Sequence, residues 1–170
     1  LKIKNDYQKY YTIDELEKEN SKHYLRVANT CGFVYKGKTV LDVGAGVGTL
    51  SKFFKQEPSL KLTAIEINHS FCEYLKTFGI NVIEGDAVEI MSKMGDNSFD
   101  IIVMGELVEH FKNPGDLLKQ AFRVAKERVI FSLPRRDDEW HYWNCNWVDM
   151  QDWIVISMDK KDDTDDRKQD

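Results

Sequence analysis

The chain has 170 residues, of which 42% are hydrophobic and 31% charged, a balance that suits one globular domain with a single core. Its formal net charge of −5 disfavours broad electrostatic attraction to nucleic acid, while leaving room for a local basic patch. No stretch approaches the roughly 18–20 uninterrupted apolar residues of a membrane span, so no membrane partner is expected.

The chain begins at Leu1, not Met, which points to a natural start that has been trimmed or lost; no basic-then-apolar leader pattern follows. Tyr7, Tyr10 and Tyr11 can pack on the domain or cover a site. Thr12-Ile-Asp-Glu15 is a capping-box pattern, in which hydroxyl and carboxylate three residues apart satisfy early helix amides. Behind it Leu16, Tyr24, Val27, Ala28 and Cys31 describe a loosely amphipathic helix ending near Gly32. Residues 1–37 therefore read as an N-terminal helical segment packing on the core.

From Lys38 the pattern alternates. Thr39–Val43 is a β-branched strand, followed by glycines and a helix through Leu50, Phe53 and Phe54. Leu62–Ile67 predicts a second strand and His69–Phe78 its helix; Ile80–Glu84 predicts a third strand, with a shorter helix around Ala87–Met94. Phe99–Met104 is a fourth strand, its Ile101–Met104 run reading as buried on both faces. Pro114 suits the first turn of a helix whose apolar face is Leu117, Leu118, Ala121, Phe122 and Ala125. Arg128–Leu133 is a fifth strand, stopped by Pro134.

Strands separated by helices imply βαβ units and a doubly wound α/β sheet: five parallel strands with helices on both faces. After Pro134 the pattern changes. All four tryptophans lie between Trp140 and Trp153, and Trp153–Met158 reads as a last strand, paired antiparallel with a segment around Asn146–Asp149. The aromatic stretch can pack under that hairpin or stack a planar acceptor. The main domain is expected to span 38–158. The tail Asp159–Asp170, with six Asp and four Lys or Arg, is expected to be disordered.

Cys31, Cys72 and Cys145 are scattered without a CxxC pair, which argues against a disulfide framework or structural zinc and fits a cytoplasmic location. His23 and His69 suggest surface or helix-cap roles.

The chemistry-bearing signal is Val40-Leu-Asp-Val-Gly-Ala-Gly-Val-Gly-Thr49, with Gly44, Gly46 and Gly48 between the first strand and its helix. Glycines let a backbone turn sharply and approach a ligand, and a helix N-terminus offers amides to an anion. A dinucleotide fingerprint needs G-x-G-x-x-G, whereas here Thr49 fills the last glycine position, which weakens a dehydrogenase reading. The motif resembles the glycine-rich first motif of class I S-adenosylmethionine (SAM)-dependent methyltransferases, a Rossmann-like family. Asn97-Ser-Phe-Asp-Ile-Ile102 is similar to the start of that family's fourth strand, and the resemblance runs through Ser132. Gly79–Asp86, Asn113-Pro114 and Val129–Pro134 resemble the type 11 and MetW-like branch.

The resemblance implies SAM as cofactor, bound through Asp42, Gly44, Ala45, Gly46, Glu66, Ile67, Asp86, Ala87 and Gly105. In that picture Glu66, 22 residues after Gly44, takes the ribose hydroxyls, and Asp86 takes the adenine amino group unless it serves only as a helix N-cap. The methyl acceptor implied is a small molecule. Glu106-Leu-Val-Glu-His110 follows the fourth strand, and in a helical turn Glu106, Glu109 and His110 share one face. Three readings stand for it: loop architecture, His110 as general base, or a divalent Mg²⁺ or Mn²⁺ site completed by His141. The last is similar to small-RNA 2′-O-methyltransferases and would make RNA the acceptor. A SAM-binding module without catalysis is the remaining alternative.

Overall fold

The computed structural model describes residues 12–20, 30–32, 34, 36–134 and 153–160. The expected Tyr7–Tyr11 cover, the helix residues Tyr24, Val27 and Ala28, Cys145, the tail beyond Lys160, and the stretch 135–152 with His141 lie outside them. Among the described residues, no helix is long and apolar enough to cross a membrane.

The chain opens with α1 (Ile13–Asn20). Its capping box forms: the Glu15 amide donates to Thr12 Oγ1 (3.2 Å) and the Thr12 amide to Glu15 Oε2 (2.8 Å). Glu17 of α1 ion-pairs with Lys52, whose Nζ also sits 5.3 Å from the Tyr74 ring and 5.1 Å from the Phe78 ring. Thr30 and Cys31 form a separate helical turn.

The core then follows as β1 (Thr39–Val43), α2 (Thr49–Phe54), β2 (Lys61–Glu66), α3 (His69–Thr77), β3 (Asn81–Glu84) and α4 (Ala87–Ser92). Next come β4 (Phe99–Gly105), a single 3₁₀ turn (Val108–His110), α5 (Gly115–Val124), β5 (Ala125–Pro134) and β6 (Trp153–Asp159). The sheet order is β3-β2-β1-β4-β5-β6. The first five strands are parallel and β6 runs antiparallel to β5. This is the expected doubly wound α/β architecture.

Alternation along each strand divides the core. Leu41, Val43, Ile65, Ile102, Met104, Val129 and Phe131 point to the face covered by α4, α5 and the 3₁₀ turn. Val40, Ile101, Val103 and Ile130 point to the face covered by Leu50 and Phe54 of α2, with Cys31 and Val34 alongside. Ala64 meets Leu75 of α3 on that second face. Ile101 through Met104 are at most 1% exposed, and each such side chain contributes roughly 1.5–3 kcal/mol on burial.

Two elements differ from the sequence reading. Strand β5 begins at Ala125, not Arg128, so the strand starts where α5 stops. Ala125, Lys126, Glu127 and Arg128 are good helix formers, but Ala125 pairs with Phe99 and is fully buried, and pairing with β4 overrides propensity. The second difference concerns β6. It pairs with β5, from Pro134↔Trp153 to Arg128↔Asp159; the partner expected for it, Asn146–Asp149, lies outside the described residues. The strand includes Asp159, and the Lys160 amide donates to Glu127 O (2.7 Å).

Candidate functional site

Strand order reverses between β1 and β4, so the helices after β1 and β4 leave towards opposite faces and a crevice opens at the carboxyl ends of these strands. The glycine turn lies there. Gly44, Gly46 and Gly48 have φ of 70°, 56° and 83°, a region that side chains disfavour. A Cβ on Gly44 would lie 2.6 Å from Leu107 Cδ1, whereas one on Gly46 would meet nothing within 4 Å among the described residues. Gly44 is thus closed by packing, and Gly46 is open with respect to the described residues.

The turn is tied to β2. Gly44 and Ala45 amides both donate to Ile65 O (2.9 and 3.1 Å), and the Gly46 amide donates to Glu66 Oε2 (2.7 Å). Glu66 is 7% exposed, and its other oxygen accepts from the Ile67 and Asn68 amides (2.9 and 2.8 Å). Burial pushes the Glu66 carboxyl above the usual glutamate value, and the three amides only partly offset that. A carboxylate offers about four lone-pair sites, so three amides leave acceptor capacity for one more donor. Asn68 caps α3, accepting from the Ser70 and Phe71 amides (3.0 and 3.2 Å).

On β1, Asp42 is 1% exposed and accepts from the hydroxyl of Ser51 (2.6 Å), itself fully buried. Burial, then the Asp42 charge, pushes the nearby Cys31 thiol up to about 12. Strand β3 lies beside β2, with Glu66 opposite Glu84. The Gly85 amide donates to Glu66 O (2.9 Å), and Asp86 caps α4 by accepting the Glu89 amide on Oδ1 (2.9 Å). Capping uses one carboxylate oxygen and leaves the other for a ligand. Ile67 is 37% exposed beside Glu66, and Ala87 is buried.

Beyond β4 the chain does not form a helical turn over 106–110, the condition for Glu106, Glu109 and His110 to share one face. Glu106 has φ 51° and its amide donates to both O and Oγ of buried Ser132 (3.1 Å each). The 3₁₀ turn starts only at Val108, so Glu106 does not share a helix face with Glu109 and His110. Glu109 is 1% exposed and His110 half-buried. Among the described residues, no group of three or more His, Cys, Asp or Glu side chains is arranged to hold a metal ion.

The structure therefore gathers Asp42, Gly44, Ala45, Gly46, Glu66, Ile67, Asp86 and Ala87 along the carboxyl ends of β1–β3, with Gly105 ending the neighbouring β4. Sequence reasoning missed Ser51, Leu107 and Ser132, which hold these residues from behind. Each acts through a contact that no local pattern encodes.

Residues 24–156 match the family model described as methionine biosynthesis protein MetW. The chain belongs to the MetW family. Among curated relatives of this MetW chain, a ubiquinone biosynthesis O-methyltransferase of Coxiella burnetii is 30% identical over 109 residues, covering 60% of this chain and 46% of the relative. The matched part is thus under half the length of that relative. A SAM-dependent methyltransferase from Archaeoglobus fulgidus superposes with a TM-score of 0.61 at 21% identity, over 68% of this chain and 53% of the other. A coclaurine N-methyltransferase bound to N-methylheliamine and S-adenosylhomocysteine (SAH) superposes with a TM-score of 0.58 at 21% identity, over 71% and 40%. The fold is that of class I SAM-dependent methyltransferases.

Proposed function

We propose that this MetW-family chain is a SAM-dependent methyltransferase acting on a small-molecule acceptor. The observation that carries the reading is the Glu66 carboxylate, fixed by three backbone amides at the end of β2 beside the open position at Gly46. A preorganised carboxylate with one acceptor site left suits a ribose hydroxyl, and its negative charge disfavours a phosphorylated ribose. Its place in a methyltransferase fold supports SAM over a nicotinamide dinucleotide.

In this reading Gly44, Ala45 and Gly46 bound the end that takes the methionine moiety, with Asp42 beneath them. Glu66 holds the ribose, and Ile67, Asp86 and Ala87 flank the adenine. Gly105 passes by the reacting end. SAM supplies, when bound, an electrophilic methyl group on a positively charged sulfur. The chain's contribution is orientation and exclusion of water, and a base is needed only where the acceptor must lose a proton. His110, half-buried in the 3₁₀ turn that follows β4, is the candidate to take that proton. The name of the Coxiella relative supports a small hydroxylated acceptor. A cytoplasmic location agrees with the free thiols of Cys31 and Cys72.

Thermal shift with SAH, SAM and NAD tests the cofactor: SAH and SAM should stabilise the protein, and stabilisation by NAD alone would end the reading. A methyl-transfer screen against pooled metabolites and short RNAs, with and without Mn²⁺, tests the acceptor. Turnover on an RNA end that requires Mn²⁺ would replace the small-molecule reading and bring Glu106, Glu109, His110 and His141 forward as ligands.

A further inference from the structure

We infer that Ser51 is a positioning residue of the cofactor site: its hydroxyl holds the Asp42 carboxylate and so locks the first turn of α2 onto the end of β1. The inference rests on the reading above, in which the glycine turn receives SAM.

Strand alternation explains why the two side chains meet. Leu41 and Val43 point to one face of the sheet, so Asp42 points with Val40 to the other, under α2. Ser51, in the first turn of α2, is fully buried and its Oγ donates to Asp42 Oδ2 at 2.6 Å. The glycine turn is the chain between these two partners. Its far end lacks the usual anchor, because the residue that starts α2 is Gly48, in the left-handed region and without a capping side chain. A hydroxyl donating to a buried carboxylate is a strong bond and replaces that anchor.

The turn is thus held by two carboxylates from two adjacent strands. Glu66 of β2 takes the Gly46 amide in the middle of the turn. Asp42 of β1, through Ser51, fixes its exit. Between them the open position at Gly46 has its shape set before any ligand arrives, and preorganisation of this kind appears as affinity. Without the Ser51 hydroxyl, the start of α2 can shift away from β1 and the turn relaxes around Gly46.

Isothermal titration with SAH, at a temperature where circular dichroism shows every variant folded, separates this role from plain stabilisation. Ser51→Ala should weaken SAH binding about tenfold or more, the scale of one lost hydrogen bond to a charged group. Ser51→Cys, similar in volume and a weaker donor, should fall between Ser51→Ala and wild type. Thr39→Val, at the opposite end of β1, should lower the melting temperature and leave SAH affinity unchanged. Ser51→Ala with wild-type affinity and a lowered melting temperature would make the bond structural only and overturn the inference. If Ser51→Ala does not fold, wild-type affinity in Ser51→Cys would overturn it equally. Wild-type protein that fails to bind SAH would instead remove the SAM reading, and this inference with it.

Discussion

The two ends of the sheet use polar side chains in opposite ways. At the amino end they pair with one another near solvent. Asp100 accepts from the Thr39 amide and hydroxyl (2.8 Å each), Lys38 pairs with Glu127 (2.6 Å), and Arg128 pairs with Asp159 across β5 and β6. At the carboxyl end, buried carboxylates are aimed at backbone amides and a hydroxyl around an open turn, as Glu66 and Asp42 are. The amino end closes the fold; at the carboxyl end Glu66, with three amides bound, keeps acceptor capacity for one more donor. Bonding that completes itself stabilises, and bonding left incomplete in a rigid frame recognises.

That contrast can be broken most sharply at Glu66. Glu66→Ala removes the charged acceptor for a ribose hydroxyl and one anchor of the turn, so SAH affinity should fall roughly 100-fold or more by titration calorimetry. An affinity within threefold of wild type would show that the carboxyl end does not recognise the ribose. Next comes Gly44→Ala, which meets both a φ of 70° and Leu107 at 2.6 Å. It should cost about 2 kcal/mol of stability in urea denaturation, combining backbone strain with overpacking. Thr39→Val should cost about 1 kcal/mol by the same measurement, the net value of an ordinary hydrogen bond, with no change in SAH binding.

The smallest effect is in pH dependence, where the two ends have opposite signs. Burial raises the Asp100 carboxyl, but the Thr39 amide and hydroxyl, together with the Lys126 and Lys38 charges, hold it below the ordinary aspartate value of 3.8. A lowered value in the folded state means stability present above the unfolded value and lost as pH falls through the folded one. Glu66 is raised above 4.5, so its contribution is fully present below the unfolded value and is lost as pH rises through the folded one. Relative to Glu66→Gln, unliganded wild type should gain melting temperature as pH falls from neutrality towards 4.5. Relative to Asp100→Asn, it should lose melting temperature as pH falls below 3.8. Parallel curves for Glu66→Gln and wild type would remove the distinction between the two ends.

Local codes made much of this legible beforehand. Strand β1 has the bounds that its β-branched run predicts, the capping box at Thr12–Glu15 forms, and Glu66 ends β2 as the family resemblance implies, one residue before the end expected from the strand pattern. Asp86, too, caps a helix as a residue of its type should. What escaped depends on tertiary partners. Ala125–Glu127 is helical by composition and a strand by pairing. Glu106 looks like the start of a helix, but Ser132 holds its amide with a left-handed backbone. Ser51 carries no signature at all; only folding brings it under Asp42.

The antiparallel pairing of Pro134 with Trp153 has a consequence for how such a chain can diversify. The connection from 135 to 152 leaves and rejoins the sheet at neighbouring positions, on the crevice side of the molecule. Its two attachment points stay fixed whatever lies between them, and doubling the length of a loop so tethered adds only about 0.6 kcal/mol of closure entropy. A connection hinged in this way can change in length or sequence while the strands that hold Asp42 and Glu66 stay where they are.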